Sequence, residues 1–75
     1  MRSLHTIARE IRADWTAPYF GAIPYLSAML SLDSITDRYG HDNARSIVLY
    51  FLSNAGRWKG PVAQAVKLEL RSMLK

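Results

Sequence analysis

Apolar residues recur at intervals of three and four along most of this chain, and prolines and glycines interrupt the pattern in three places. This spacing puts apolar side chains on one face of an α-helix. No repeat and no long linker divides the 75 residues into two units. The sequence therefore predicts an all-α fold, a small four-helix bundle-like domain with short connections, in which residues 1–75 form a single helical domain.

The first predicted helix follows Ser3, which is a suitable N-cap. Its apolar stripe consists of Leu4, Ile7, Ala8, Ile11 and Trp15. We expect the helix to end near Trp15 or Thr16, because the next segment contains two prolines and a glycine. Tyr19 and Phe20 lie within that segment and form an aromatic loop.

The second predicted helix begins at Pro24, a residue that suits the first helical position. Its apolar spacing continues to Tyr39, and Gly40 is a suitable C-terminal stop. We expect one continuous helix. The alternative is a break near Asp33 and Ser34, since either side chain could cap a new short helix.

Asp42 is the expected N-cap of a third helix over residues 43–55. Residues 46–52 also have the composition of a buried strand. Because no second strand-like run is present to pair with them, we interpret the segment as a helix. Its wide apolar arc predicts that this helix is central. Three of its side chains are expected to be almost fully buried: Ile47, Phe51 and Leu52.

The fourth predicted helix begins at Pro61, after a turn from Gly56 to Gly60 that holds Trp58. We expect the Trp58 ring to pack against helix ends, with its indole N–H donating to a carbonyl. Beside its apolar face, this helix carries a basic stripe formed by Lys67, Arg71 and Lys75.

The composition excludes several classes of protein. With no cysteine, the chain cannot form disulfides or thiolate metal sites, and a reducing cytoplasm is the expected location. The longest apolar run is six residues, Ile47 to Leu52, whereas a membrane span needs about 20. Charged residues interrupt the N-terminal segment, which therefore lacks the pattern of a secretory signal. No membrane partner is expected.

Candidate catalytic residues are few. His5 has no serine or carboxylate placed by the sequence to form a triad with it. Asp33, Asp37, His41 and Asp42 match neither the calcium-loop pattern nor the HExxH spacing, so no metal site is expected. The chain also lacks a P-loop and a GxGxxG motif. We predict that it is not an enzyme and has no catalytic residues, no cofactor and no small-molecule substrate.

The net charge is +4, and residues 57–75 carry the whole excess. Basic side chains and a stacking ring in this region could hold a nucleic-acid backbone. The candidates for nucleic-acid binding are Arg57, Trp58, Lys59, Lys67, Arg71 and Lys75. A solvated helix face explains the same charges.

Three apolar residues are candidates for a protein interface. Tyr19 and Phe20 lie between two helix breakers, and Leu68 falls on the outward, basic side of the last helix. Aromatic side chains are common interface anchors, although Tyr19 and Phe20 could instead cover the core together with Tyr25. A domain of this size buries only about 60% of its unfolded surface. Without a disulfide or metal, self-association would add burial, so a homo-oligomer is expected.

Residues 42–60 follow the pattern D-x-A-R-S-I-V-x-Y-F-L-x-N-A-x-x-W-x-G. In these residues, and in shorter matches on both sides from Pro24 onward, the chain resembles short uncharacterised proteins of actinobacterial phages and prophages. Such proteins carry more basic residues early in the last helix, where this chain has Gln64 and Val66, and this departure weakens the nucleic-acid interpretation. The resemblance implies a phage or prophage setting in the cytoplasm of a bacterial host, without an implied activity.

Together these observations predict a small non-enzymatic interaction protein, a phage or prophage accessory protein that binds a host protein or itself. The alternative is a small nucleic-acid-binding module that uses the basic C-terminal turn and helix.

Overall fold

Four α-helices make up most of the computed structural model, which describes residues 2–75 and measures 30 × 24 × 18 Å. The helices are α1 (Leu4–Asp14), α2 (Ile23–Met29), α3 (Ala44–Ser53) and α4 (Pro61–Met73). A short 3-10 turn, Phe20–Ala22, leads into α2, and an antiparallel hairpin of β1 (Arg38–Tyr39) and β2 (Asp42–Asn43) precedes α3. The predominantly helical fold is as predicted, and the hairpin is an addition.

The start of α1 is fixed by side-chain and backbone acceptors. Ser3 Oγ accepts a hydrogen bond from the backbone N–H three residues later, which confirms Ser3 as the N-cap. The N–H groups of Leu4 and His5 donate to the carbonyl oxygens of Asp33 and Leu32, each at 2.9 Å. Because the first N–H groups of a helix have no partner within it, the segment after α2 completes the cap of α1.

The second helix is shorter than predicted. It begins at Ile23, so Pro24 takes the second position, and it ends at Met29 instead of continuing to Tyr39. Met29 and Leu32 are nevertheless both buried, because the turn that follows the helix keeps its apolar side chains on the core. The apolar spacing therefore identified the right core residues but the wrong backbone path.

Polar side chains and tertiary contacts account for the early end of α2. The Asp37 carboxylate accepts hydrogen bonds from the N–H groups of Asp33 (2.9 Å) and Ser34 (3.0 Å), which lowers the pKa of Asp37. Such local bonds compete with the helical hydrogen-bond pattern. The carbonyl oxygens of Leu32 and Asp33 accept hydrogen bonds from α1, so they are not available as acceptors for a continuation of α2. The predicted alternative, a break near Asp33 and Ser34, is closer to the observed structure than one continuous helix, although no new helix starts there.

The hairpin replaces the end of the predicted second helix. Tyr39 pairs with Asp42, and Arg38 pairs with Asn43. Gly40 is the first of the two loop residues and has a φ of 62°. This backbone region favours glycine, and two-residue hairpins use it at this position. Gly40 therefore turns a hairpin and does not terminate a helix.

The third helix begins one residue later than predicted. Asn43 is the N-cap, and its Oδ1 accepts a hydrogen bond from the N–H of Ser46 at 2.8 Å. Asp42 does not take this role because helical hydrogen bonding starts at Ala44, so the residue directly before the helix is Asn43. The prediction that Pro61 opens α4 is confirmed.

Two helices share the central position: α1 packs against α2 and α4, and α2 packs against α1 and α3, whereas α3 packs mainly against α2. The prediction that the third helix is central is therefore wrong. Two residues that widened its apolar arc, Leu49 and Tyr50, are 53% and 47% exposed. A wide apolar arc shows what a helix could bury, and the arrangement of its neighbours decides what it does bury.

Two of the three predicted core residues of α3 are confirmed. Ile47 and Phe51 are buried, and Phe51 is in edge-on contact with Trp15 and Trp58. Leu52 is only partly buried, contrary to the prediction, and packs at the margin of the core. It lies one residue beyond Phe51, which turns it by about 100° on the helix away from the most buried line.

Candidate interaction surface

Trp58 lies in the turn before α4 and is 2% exposed. Its indole N–H donates to Asp14 Oδ2 at the end of α1, at 2.7 Å. Its ring stacks on Trp15, with centroids 5.9 Å apart, and meets Phe51 edge-on at 6.4 Å. We call Trp15, Phe51 and Trp58 the tryptophan cluster. Packing against helix ends is confirmed, but the acceptor is a carboxylate and not a carbonyl.

Lys67 also contacts Trp58. Its Nζ donates to the Trp58 carbonyl oxygen at 2.6 Å and lies 5.9 Å from the centre of the ring. Partial burial lowers the pKa of Lys67, and the positive charges of Lys59 and Arg71 lower it further. Lys67 is therefore part of the structure of the turn, and the buried Trp58 ring has no face free for a nucleic-acid base.

The remaining nucleic-acid candidates lie in three different settings. Lys59 and Arg71 lie near enough to Lys67 to lower its pKa, so these three cations form one basic cluster. Arg57 has a different neighbour, because its guanidinium lies over the Tyr19 ring, 4.8 Å from the ring centre. Lys75 is exposed at the end of the described chain. The fold thus brings only part of the predicted basic set together.

Tyr19 and Phe20 lie in the connection that enters α2, with ring centroids 4.8 Å apart. Gly21 lies close to both Tyr19 and Asn54, the residue that follows α3: a Cβ on Gly21 would lie 2.7 Å from a Tyr19 ring atom and 2.8 Å from Asn54 Oδ1. Asn54 in turn donates through Nδ2 to the carbonyl oxygen of Tyr50 at 2.9 Å. The loop aromatics are therefore joined to the end of α3.

A second aromatic pair lies where α2 packs against α3. Tyr25 on α2 and Tyr50 on α3 have centroids 5.4 Å apart. Phe20 is 76% exposed, more than any other large apolar side chain of the described residues. We call these residues the aromatic surface: Tyr19, Phe20, Tyr25, Tyr50 and Arg57. The sequence reasoning identified the first two and missed Tyr50, whose only signal was its place at the edge of an overly wide apolar arc.

Leu68 is 70% exposed but lies elsewhere on the molecule. The buried residues of α4 face α1, and Leu68 falls on the opposite side of that helix. The helix α4 packs mainly against α1, whereas the 3-10 turn that contains Phe20 packs against α2. The three predicted interface residues therefore do not form one site, since the structure separates Leu68 from Tyr19 and Phe20.

The carboxylates are mostly occupied within the fold. Arg2 bridges Glu10 on α1, at 2.8 Å, and Glu69 on α4. These contacts raise the pKa of Arg2 and lower that of Glu69. Asp14 accepts from the tryptophan cluster and Asp37 from backbone N–H groups. Within residues 2–75, Arg2 is the only Lys or Arg in an ion pair with a side-chain carboxylate.

The histidines and aspartates do not assemble a recognisable chemical centre in the described residues. His5 Nε2 lies 3.7 Å from Asp33 Oδ1, and His5 Nδ1 is buried without a hydrogen-bond partner. Across residues 2–75, no three His, Cys, Asp or Glu side chains are grouped to hold a metal ion. In the same part of the chain, no helix has the length and apolar character needed to cross a membrane.

Comparison of the chain with protein-family models, curated proteins and solved structures found no match. The resemblance to actinobacterial phage proteins therefore stays a prediction. The functional proposals depend on the geometry of the aromatic surface and of the basic cluster.

Proposed function

We propose that this chain is a small non-enzymatic interaction domain that binds a protein partner through the aromatic surface. The observation that carries the proposal is the 76% exposure of Phe20 beside a Tyr19 ring that Arg57 covers. Aromatic residues and arginine are the side chains most enriched at the energetic centres of protein interfaces. The resemblance to phage and prophage proteins supports a host protein in the bacterial cytoplasm as the partner.

The exposed rings are not left over from an incomplete core. The core holds 19 buried apolar residues, and no polar residue of the described chain is buried. The accessible surface of 4644 Å² agrees with the roughly 4,700 Å² expected for a folded monomer of this mass. Because the domain closes its core without a second chain, the aromatic surface is available for a partner.

The surface is also partly ordered before binding. Tyr19 is held between Arg57 and the Gly21 backbone, and Tyr50 packs against Tyr25. Side chains that are already restrained lose less conformational entropy when a partner binds, and this raises affinity. Tyrosines are suited to this role because their large rings have few rotatable bonds.

The test compares capture of host proteins by three tagged chains. Phe20→Ser combined with Tyr50→Ser removes two exposed rings, whereas Leu68→Ser removes an exposed apolar side chain from α4, outside the aromatic surface. We expect the double variant to lose a protein that the parent and Leu68→Ser both retain after nuclease treatment. Circular dichroism should show that all three chains are equally helical.

Two results would contradict the proposal. If the double variant captures the same protein as the parent, the aromatic surface is not the binding surface. If Leu68→Ser alone loses that protein, the partner binds the outer side of α4 instead.

The basic cluster favours a second candidate function, a small nucleic-acid-binding module. Lys59 and Arg71 are exposed and are not paired with a carboxylate of the described residues. Such a cluster could neutralise phosphates, in which case affinity falls steeply with salt. Replacing Lys59 and Arg71 together by Gln should then reduce the slope of log K against log salt by about 2 on duplex DNA. An unchanged slope would exclude this function. It would also be excluded if nuclease treatment removed none of the captured proteins.

A further inference from the structure

The aromatic surface is formed by segments that carry no charge of their own. Residues 15–32 and 46–56 contain no Asp, Glu, Lys or Arg. Arg57 follows the second segment directly and is the single charged member of the aromatic surface. This part of the molecule therefore presents exposed rings beside one positive charge, without a carboxylate from the same segments to neutralise it.

The guanidinium of Arg57 is held in place but is not neutralised. It lies over the Tyr19 ring, and the described residues provide neither a hydrogen-bond acceptor nor a carboxylate for it. Contact with a ring face attracts the cation without using its N–H groups. The planar fork of an arginine fits the two oxygens of a carboxylate. A partner carboxylate would thus complete a group that the fold leaves incomplete.

Resting on the proposed function, we infer that the partner is an acidic protein segment with apolar side chains next to its carboxylates. One carboxylate binds the Arg57 guanidinium, and the adjacent apolar side chain packs against Phe20 and Tyr50. Charge complementarity beyond the surface favours the same partner. The net charge is +4, and within the described residues Arg2 alone of the ten basic side chains is paired with a carboxylate side chain. Such complementarity steers association and selects partners.

A second copy of this chain fits the surface less well. Across a two-fold axis the same patch meets itself, so an uncompensated Arg57 would meet a surface without carboxylates. Nucleic acid offers phosphates to Arg57, but Lys67 of the basic cluster donates to Trp58, whose buried ring is not available to stack on a base. The experiment below distinguishes a second copy of the chain and a nucleic acid from an acidic protein segment.

The test uses three synthetic peptides of 12 residues, with Leu and Phe at the same positions and Glu, Gln or Lys at all others. Binding is followed on the ¹⁵N-labelled full chain by amide chemical shifts. We expect the Glu peptide to shift amides of residues 19–25 and 49–57, and to bind at least about tenfold more tightly than the Gln peptide. The Lys peptide should cause no shifts there.

Matched variants assign the effect to Arg57. Arg57→Gln should reduce the affinity for the Glu peptide to that for the Gln peptide. Arg57→Lys keeps the charge but loses the fork, and should recover only part of the affinity. Arg71→Gln removes one charge from the basic cluster and should change the affinity less than twofold. Parent-like spectra outside the surface show that each variant is folded.

The outcomes separate this inference from the proposed function. If the Glu and Gln peptides bind the aromatic surface equally, that surface still binds protein, but the acidic partner is excluded. If no peptide shifts these amides, the inference is overturned, and the capture experiment with Phe20→Ser and Tyr50→Ser decides the proposed function independently. Shifts by a 12-nucleotide oligo(dT) that depend on Arg57 would assign nucleic acid, and concentration-dependent shifts without any peptide would assign a second copy.

Discussion

The tryptophan cluster and the aromatic surface are built from the same materials and differ in what they leave unsatisfied. Each has packed aromatic rings with a cation beside one of them, Lys67 near Trp58 and Arg57 over Tyr19. In the tryptophan cluster the cation also donates to a carbonyl, and the indole N–H donates to a carboxylate. Aromatic rings beside cations therefore do not identify a binding site. The two regions differ in the hydrogen bonding of the cation: among the described residues, Lys67 has an acceptor and Arg57 has none.

The difference follows from how many elements surround each group of rings. The end of α1, the body of α3 and Lys67 in the middle of α4 all meet at Trp58, so its ring is covered and its polar atoms have partners. The aromatic surface is formed by the loop, α2 and the end of α3 on one side only. The other side stays open to solvent, and Phe20 lies at that opening.

The largest expected difference in stability is between two variants that each remove one aromatic ring, one from the tryptophan cluster and one from the aromatic surface. Phe51→Ala should lower the free energy of unfolding by about 3–5 kcal/mol, because Phe51 is fully buried and contacts both tryptophans. Phe20→Ala should change it by less than about 0.5 kcal/mol. Urea unfolding followed by tryptophan fluorescence measures both. Similar losses in the two variants would remove the distinction between a closed and an open region.

A smaller effect is expected at the polar contact that closes the tryptophan cluster. Asp14→Ala leaves the buried indole N–H of Trp58 without its acceptor and should cost about 1–3 kcal/mol. Asp14→Asn keeps an oxygen acceptor at the same place and should cost less. Both free energies come from urea unfolding, and equal costs for the two variants would show that the hydrogen bond contributes little.

Lys67 and Arg71 provide a comparison within one helix face. Lys67→Met removes the hydrogen bond to the Trp58 carbonyl and should cost about 1 kcal/mol. Arg71→Met removes an exposed charge and should cost less than about 0.5 kcal/mol. Thermal or urea unfolding distinguishes the two. Equal effects would show that Lys67 is a solvated residue of the basic stripe and does not stabilise the turn.

The last comparison concerns Gly21, where a small effect on stability is expected and the main readout is the geometry of the aromatic surface. A Cβ there would meet side-chain atoms of Tyr19 and Asn54, which can move, so Gly21→Ala should cost less than about 1 kcal/mol. It should nevertheless displace the Tyr19 ring from Arg57 and abolish the ring-current shift of the Arg57 side chain in proton NMR spectra. Gly56→Ala has open space around its Cβ and should leave that shift unchanged. A persistent shift in Gly21→Ala would show that Tyr19 is not positioned through Gly21.

Local signals in the sequence gave the correct start of two helices, although Asn43 and not the predicted Asp42 caps α3. Ser3 caps α1 and Pro61 opens α4 as predicted, because a capping hydroxyl and a missing N–H act within a few residues. Phe20, for which the sequence left open an interface role or a place over the core, is exposed. Predictions that depended on distant partners failed. The acceptor for Trp58 is Asp14, 44 residues away, and the carbonyls after Met29 are diverted to α1.

The same division holds for the candidate site. Sequence reasoning gave Tyr19 and Phe20 and grouped Leu68 with them, since all three are apolar residues without an evident place in the core. Helical spacing cannot state which neighbour covers a given face, so the separation of Leu68 and the addition of Tyr50 required the packed structure. For the same reason the sequence placed Arg57 with the other C-terminal cations, whereas the fold places it over Tyr19.

The sequence by itself determined that this protein is mostly helical, where three of its four helices lie, and which apolar residues are available for a core, because these properties depend on spacing and on capping within one turn. The tertiary structure decided that the second helix ends at Met29, that a hairpin turns at Gly40, and that Trp58 is closed while Phe20 is open. Each of those outcomes depends on which backbone and side-chain groups meet across long separations in the chain. Hydrogen bonds and burial are satisfied over the whole fold, and a local pattern contains no record of a distant partner.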